Sequence, residues 1–295
     1  MMQKKVQIIS DGSLDLSQEL TKEKDIEVVP FYVSFDSETY QKEMVEVGVR
    51  EFYQEMVDHP TVFPKTSMPS VHDYYEVFEK HAKEQLPVIC ICITRKFSGS
   101  LQSATTAKDM ILEEYPDAQI TVIDSTVNTV LQGLYVLEAC RLRDMGLEYQ
   151  QIVDALLPIR ETGRIFFTIG SIDYLKHGGR IGKLAGIAAS ALKIKPLITL
   201  KEGEIFNSGI TRNRLKSMKK VVDMTREYLD EVNAKPGEYS FCIGYGYDHN
   251  EALEFREMLK DLIDEIGIYQ IGATIGVHTG PYPIGIGIIK HALTE

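Results

Sequence analysis

Leu86-Pro87-Val88-Ile89-Cys90-Ile91-Cys92-Ile93-Thr94, followed closely by Phe97-Ser98-Gly99-Ser100-Leu101-Gln102-Ser103-Ala104, decides the fold class of this chain. The first stretch is apolar at almost every position and lacks the alternation of a strand with one wet face. It therefore reads as a strand covered on both sides in a parallel sheet. The second stretch is small and polar and leads into a helix expected over 103–114. Strand, polar loop and helix form the repeating unit of α/β proteins, and such loops are where these proteins hold their ligands.

Working outward, the same grammar covers the first half. Strands are expected at 6–10, 26–34 and 120–124, and helices at 14–22, 49–57, 71–84 and 128–145. Ser70 is a plausible N-cap for the helix that begins at Val71, and Gly146 stops the helix that begins at Asn128. The second half changes character. Helices are expected at 149–161, 182–191, 212–232 and 251–263. Strands are expected at 164–169 and 239–245, with 195–200 and 204–208 forming a hairpin about Gly203. Two more strands, 273–277 and 285–289, would close the chain around His278. The expected architecture is α/β in two domains. Residues 1–160 carry a doubly wound parallel sheet (α/β/α), residues 161–295 carry a mixed sheet, and the ligand lies in the cleft between them.

Composition narrows the function. The chain has 295 residues, 44% hydrophobic and 25% charged, which is ample for a packed core. Its 43 acidic and 32 basic residues leave a net charge of −11, a field that repels phosphate backbones and disfavours adsorption to anionic membranes. Nucleic acid is not an expected partner. Neither a signal peptide nor a transmembrane stretch is read, which points to the cytoplasm and leaves only transient membrane contact open. Cys90, Cys92, Cys140 and Cys242 lack metal-ligand spacing and read as core thiols.

Five polar, glycine-bearing blocks carry the chemistry: Ser10-Asp11-Gly12-Ser13, Pro64-Lys65-Thr66-Ser67-Met68-Pro69-Ser70, Phe97–Ala104, Tyr174–Lys183 and Gly276-Val277-His278-Thr279-Gly280-Pro281. The serine loop at 97–104 offers hydroxyls and free N–H groups to an anion, although a plain helix cap would look the same. His278 stands among glycines that allow close backbone approach and an inward-facing imidazole. His177-Gly178-Gly179-Arg180-Ile181-Gly182-Lys183 is not a P-loop, because histidine replaces the first glycine and Leu184 the magnesium-binding hydroxyl. Asp11–Asp15 fails as a calcium loop, and Gly244-Tyr245-Gly246 lacks the third glycine of a dinucleotide site. Ser98 and His278, with Asp11 or Asp124, could form a hydrolase triad, but no G-x-S-x-G elbow supports it.

In this order and spacing the five blocks resemble the DegV family, whose best understood members are the fatty-acid-binding FakB proteins. The resemblance runs from about residue 6 to the C-terminus. It implies a long-chain fatty acid, roughly C14–C18, in a buried tunnel. Its carboxylate would be held by Thr66 with Ser67 nearby, by Ser98 and by His278. Ser10, Asp11, Gly99, Ser100, Thr279 and Gly280 would support the pocket and its loops, and stretches such as 187–192, 197–200 and 271–275 would wall the tail. Arg180 would dock the partner, the catalytic subunit of an ATP-dependent fatty acid kinase that makes acyl-phosphate. The chain itself would then be no enzyme and would need no cofactor and no metal. It departs from the family's usual Gly-Pro-Gly at Tyr282, a change expected at the pocket floor or head-group access. A carrier of another lipid or small carboxylate without a kinase partner, and the serine hydrolase above, are the competing readings.

Overall fold

The apolar run at Val88–Cys92 is buried at every residue, as a strand covered on both faces must be. The computed structural model describes residues 6–186 and 194–293. In chain order its first elements are β1 (Gln7–Asp11), α1 (Gln18–Glu23), β2 (Ile26–Val29), β3 (Tyr32–Ser34), β4 (Gln41–Lys42) and α2 (Val49–Asp58). There follow β5 (Lys65–Ser67), α3 (Val71–Lys83), β6 (Val88–Cys92), α4 (Ser100–Glu114), β7 (Ile120–Asp124), α5 (Thr129–Asp144) and α6 (Tyr149–Ile159). Then come β8 (Arg164–Thr168), α7 (Asp173–His177), β9 (Lys195–Lys201), β10 (Glu204–Thr211) and α8 (Arg214–Glu231). The last are β11 (Tyr239–Tyr245), α9 (His249–Leu259), β12 (Gly267–Gln270), α10 (Ala273–Thr279) and β13 (Ile284–Lys290).

The four-stranded sheet runs β2–β1–β6–β7 and is parallel throughout. Alternation along β6 sends Cys90 and Cys92 to one face, with Tyr74 and Phe78 of α3 and Ala104 and Ile111 of α4. Ile89 and Ile91 go to the other face, against α5. All four cysteines are free and buried, as core thiols should be. A six-stranded sheet runs β10–β9–β8–β13–β11–β12, antiparallel except for the pair β11–β12. Helix α5 packs on β1 as well as on β11 and β13, so one apolar cylinder joins the two sheets and is buried nearly all round. Helices α8 and α9 cover the far face of the mixed sheet.

Several sequence expectations need correction. The run 273–277 is a helix, not a strand. Its apolar, β-branched composition suits either state, and long-range bonds to its first turn, described below, settle it. The strand expected over 26–34 is two strands in different sheets, broken at Pro30, which has no N–H to give a ladder. The helix expected from Leu14 starts only at Gln18, where Ser17 accepts the Leu20 N–H, because Asp15 adopts a left-handed φ of +49°. Strands β4, β5 and β12, and the pairing of β3 with β4 and β5 in a three-stranded sheet, have no counterpart in the sequence reading. Of the helix expected at 182–191 the structure shows a short 3-10 turn at Gly182–Leu184, and 187–191 lie outside the described residues. Helix α3 is as expected. Ser70 accepts the Asp73 N–H while the Asp73 carboxylate accepts the Ser70 N–H, a capping box.

Candidate functional site

Where the carboxyl ends of the parallel strands face α10 and the mixed sheet lies a cavity of about 300 Å³. This is the position at which open α/β sheets take ligands. Ile93, Val130, Ile165, Leu200, Ile271 and Ile275 form much of its wall, so it is apolar along most of its length. Of the expected tail wall, Leu200, Ile271 and Ile275 line it, while 187–192 lie outside the described residues.

Polar groups gather at one end. The pairing of Val33 with Thr66 brings β5 alongside β3, and this sets Thr66 Oγ1 3.4 Å from His278 Nε2. Ser67, Ser98, Gly99 and Thr279 line the same cavity, and the Met68 sulfur sits over Gly99. His278 lies in the last turn of α10, which ends at Gly280 with a φ of +76° that only glycine adopts freely. A Cβ on Gly178 would collide with His278 Nδ1, so the glycine-rich loop after α7 is what lets the imidazole seat. Burial, then the nearby Arg180 charge, lowers the imidazole to about 4, and the ring is neutral at pH 7. Among the described residues Nδ1 is buried without a hydrogen-bond partner, so the single ring proton belongs on Nε2, facing Thr66 and the cavity. A neutral N–H beside hydroxyls is a donor set for a carboxylate.

The other polar block has its bonds spent within the fold. Asp11 Oδ2 accepts the Ile93 N–H at 2.9 Å and the Ser100 hydroxyl at 2.7 Å. Its Oδ1 accepts Gln132 Nε2 at 2.8 Å and the Ser13 N–H at 3.3 Å. Gln132 also reaches Ser10 Oγ at 3.0 Å, and Tyr74 Oη lies 2.6 Å from Ser100 Oγ. Ser10, Asp11, Ser100 and Gly280 do not line the cavity; the first three tie β1, β6, α4 and α5 together beneath the serine loop. The hydrolase arrangement is not assembled. Asp11 is engaged as above, and Asp124 bonds the Thr126 N–H and faces Arg95.

Arg180 is exposed at the cavity mouth, where it donates to the Phe97 carbonyl at 3.0 Å and the Gly178 carbonyl at 2.8 Å, joining the glycine and serine loops. Tyr282 does not line the cavity. Its ring meets Tyr247 edge-on at 6.3 Å, and Pro283 is the residue of that segment that reaches the wall. Sequence reasoning missed Asn128 and Thr129 as lining residues, and it took Thr274 only as part of an apolar wall at 271–275. Thr274 stands one turn before His278, a spacing that carries meaning only once the segment is known to be helical. Among the described residues no group of three or more His, Cys, Asp or Glu side chains is placed to hold a metal, and no helix is long and apolar enough to cross a membrane.

Residues 5–291 match the family model described as "Uncharacterised protein, DegV family". This chain belongs to the DegV family. A DegV domain-containing protein of Clostridium perfringens is 30% identical over 288 residues, covering 97% of this chain and 99% of the relative. The crystal structure of a stearic-acid-binding protein from Eubacterium ventriosum superposes with a TM-score of 0.93 at 45% identity, covering 97% of this chain and 99% of that one. A Thermus thermophilus DegV family protein, described by its fatty acid binding, superposes at 0.86 with 27% identity, with 97% and 99% covered. The α/β architecture, a parallel sheet beside a mixed sheet, is that of the DegV fold.

Proposed function

We propose that this DegV protein binds one long-chain fatty acid in the cavity and presents its carboxylate, at Thr66, Ser98 and His278, to an ATP-dependent fatty acid kinase that forms acyl-phosphate. The observation that carries the reading is an apolar cavity ending at a neutral imidazole and hydroxyls that, among the described residues, no protein acceptor saturates. The 45% identity to a stearic-acid-binding protein supports the ligand class. A buried methylene contributes about 0.8 kcal/mol, so a sixteen-carbon tail supplies roughly 10 kcal/mol gross. Its head group must find hydrogen bonds, because an unpaired buried polar group offsets several kcal/mol of that gain. Residues 1–160 and 161–295 serve, in this reading, as the two walls of the binding cleft.

Organic extraction of purified protein followed by mass spectrometry should release about one equivalent of a C14–C18 acid. Protein that yields no acid and takes up neither palmitate nor oleate would end the lipid reading. Arg180→Ala tests the partner half. Its guanidinium is exposed at the mouth and suits planar, multi-donor contacts with an acidic docking face. Fatty-acid affinity should stay within about threefold of wild type, while kinase-dependent acyl-phosphate formation falls by about tenfold or more. Lost lipid binding with intact coupling would move Arg180 into the head-group site.

A further inference from the structure

Two buried carboxylates stand just behind the cavity wall and belong to neither the head-group end nor the Asp11 hub. Asp15 accepts a hydrogen bond from Thr129 Oγ1 at 2.5 Å. Glu43, just beyond β4, accepts the Thr274 N–H at 3.2 Å and also the Thr274 hydroxyl. Thr129 and Thr274 both line the cavity, so each carboxylate holds one wall residue. Thr129 has a φ of +50°, a strained conformation for a β-branched residue that persists only where its surroundings fix it.

The two carboxylates meet at Gly272, the N-cap of α10. A Cβ there would collide with Asp15 Oδ1 and Glu43 Oε1 together, so these oxygens crowd a single point. Asp15 Oδ1 is buried beside the Gly272 backbone, whose N–H is its one weak donor, and among the described residues Tyr53 Oη of α2, which packs on Gly276 of α10, is buried with no partner. The other ionisable groups facing the pair are Asp11 from β1 and Tyr53 from α2, with Tyr245 of β11 behind Tyr53. Lys22, Arg50 and Glu51 line the outer groove onto which the pair opens. Among the described residues no cation is paired with either carboxylate.

We propose that Asp15 and Glu43 share one proton across Gly272 and act as positioning residues for the acyl site: the proton fixes the start of α10, and with it His278, while its loss loosens the head-group end. The inference rests on the fatty-acid reading. A shared O–H gives the two crowded carboxylates a direct hydrogen bond and removes the repulsion of two buried anions. Burial, then the Glu43 charge, raises Asp15 well above the ordinary carboxyl range, and burial raises Glu43 to about 7. A carboxyl raised in the folded state contributes stability that is complete below its unfolded pKa and lost as pH climbs through the folded one. The window here runs from the ordinary glutamate value of 4.5 to about 7.

The test compares wild type, Glu43→Gln and Asp15→Asn, all full length, between about pH 6 and about pH 9. Three things are measured: dissociation of radiolabelled oleate, hydrogen exchange at the α10 amides, and carbon-13 NMR of the glutamate carboxyls. Wild type should release oleate about tenfold faster at the upper end and lose protection at Thr274 beyond the intrinsic base-catalysed trend. In Glu43→Gln the amide donates to Asp15 Oδ1 at every pH while its oxygen still accepts from Thr274, so both profiles should flatten. Asp15→Asn makes the mirror-image pair and serves if Glu43→Gln folds poorly. Identical profiles in wild type and variants, or a Glu43 carboxyl titrating in the ordinary range, overturn the proposal. Protein that holds no oleate at any pH sinks the fatty-acid reading instead, and exchange and NMR on that same protein still decide for or against the shared proton.

Discussion

Two polar regions stand next to each other at the carboxyl end of the parallel sheet, with opposite roles. At the Asp11 hub every acceptor faces a donor: one carboxylate takes four hydrogen bonds from Ile93, Ser100, Gln132 and Ser13. At the cavity end, Thr66 and His278 touch at only 3.4 Å, and among the described residues Nδ1 has no partner. In sequence the two regions look alike, since both draw on short blocks of small residues and hydroxyls, and the serine loop at 97–104 gives Ser98 to the cavity and Ser100 to the hub. What separates scaffold from site is whether polar capacity is already used. A saturated buried network rigidifies, whereas an unsaturated one has capacity left for a ligand.

The sharpest way to break this comparison is Asp11→Ala. It strands four buried donors at once, so urea unfolding should show a loss of about 3–5 kcal/mol. If stability holds and only ligand affinity falls, the hub is part of the site. His278→Ala should do the reverse. Fatty-acid affinity should weaken by about 1–3 kcal/mol through the lost N–H to the carboxylate, with the midpoint of unliganded unfolding nearly unchanged at pH 7. A pH series sharpens the point. A base held at about 4 when folded, against an ordinary 6.5, destabilises the fold as pH drops through that interval. His278→Ala should therefore flatten unliganded stability between those two values, and a slope unchanged by the substitution would assign the titration to another group. Ser98→Ala carries the smallest effect, because its hydroxyl oxygen also accepts the Ser100 N–H at 3.1 Å. Stability should fall by about 0.5–1 kcal/mol and affinity by about tenfold. Equal stability with equal affinity would remove Ser98 from both regions.

Much of this architecture is legible in the chain itself. Ile120–Asp124 and Tyr239–Tyr245 are strands at the residues their apolar runs mark, Val88–Cys92 lies within the 86–94 run, and α3 begins at its Ser70 cap. Local composition suffices in these places because burial on both faces and capping are local demands. The polar blocks are equally visible, and their order carries the family resemblance. The tertiary structure alone decided how they divide. Residues 273–279 became a helix because Glu43, 231 positions from Thr274, meets its first turn, and no local pattern encodes that contact. Ser10, Asp11 and Ser100 went to the scaffold and Thr66, Ser98 and His278 to the cavity because saturation of a donor or acceptor is a property of neighbours in space. A sequence specifies which side chains can make hydrogen bonds; only the packed chain specifies which of those bonds remain to be made.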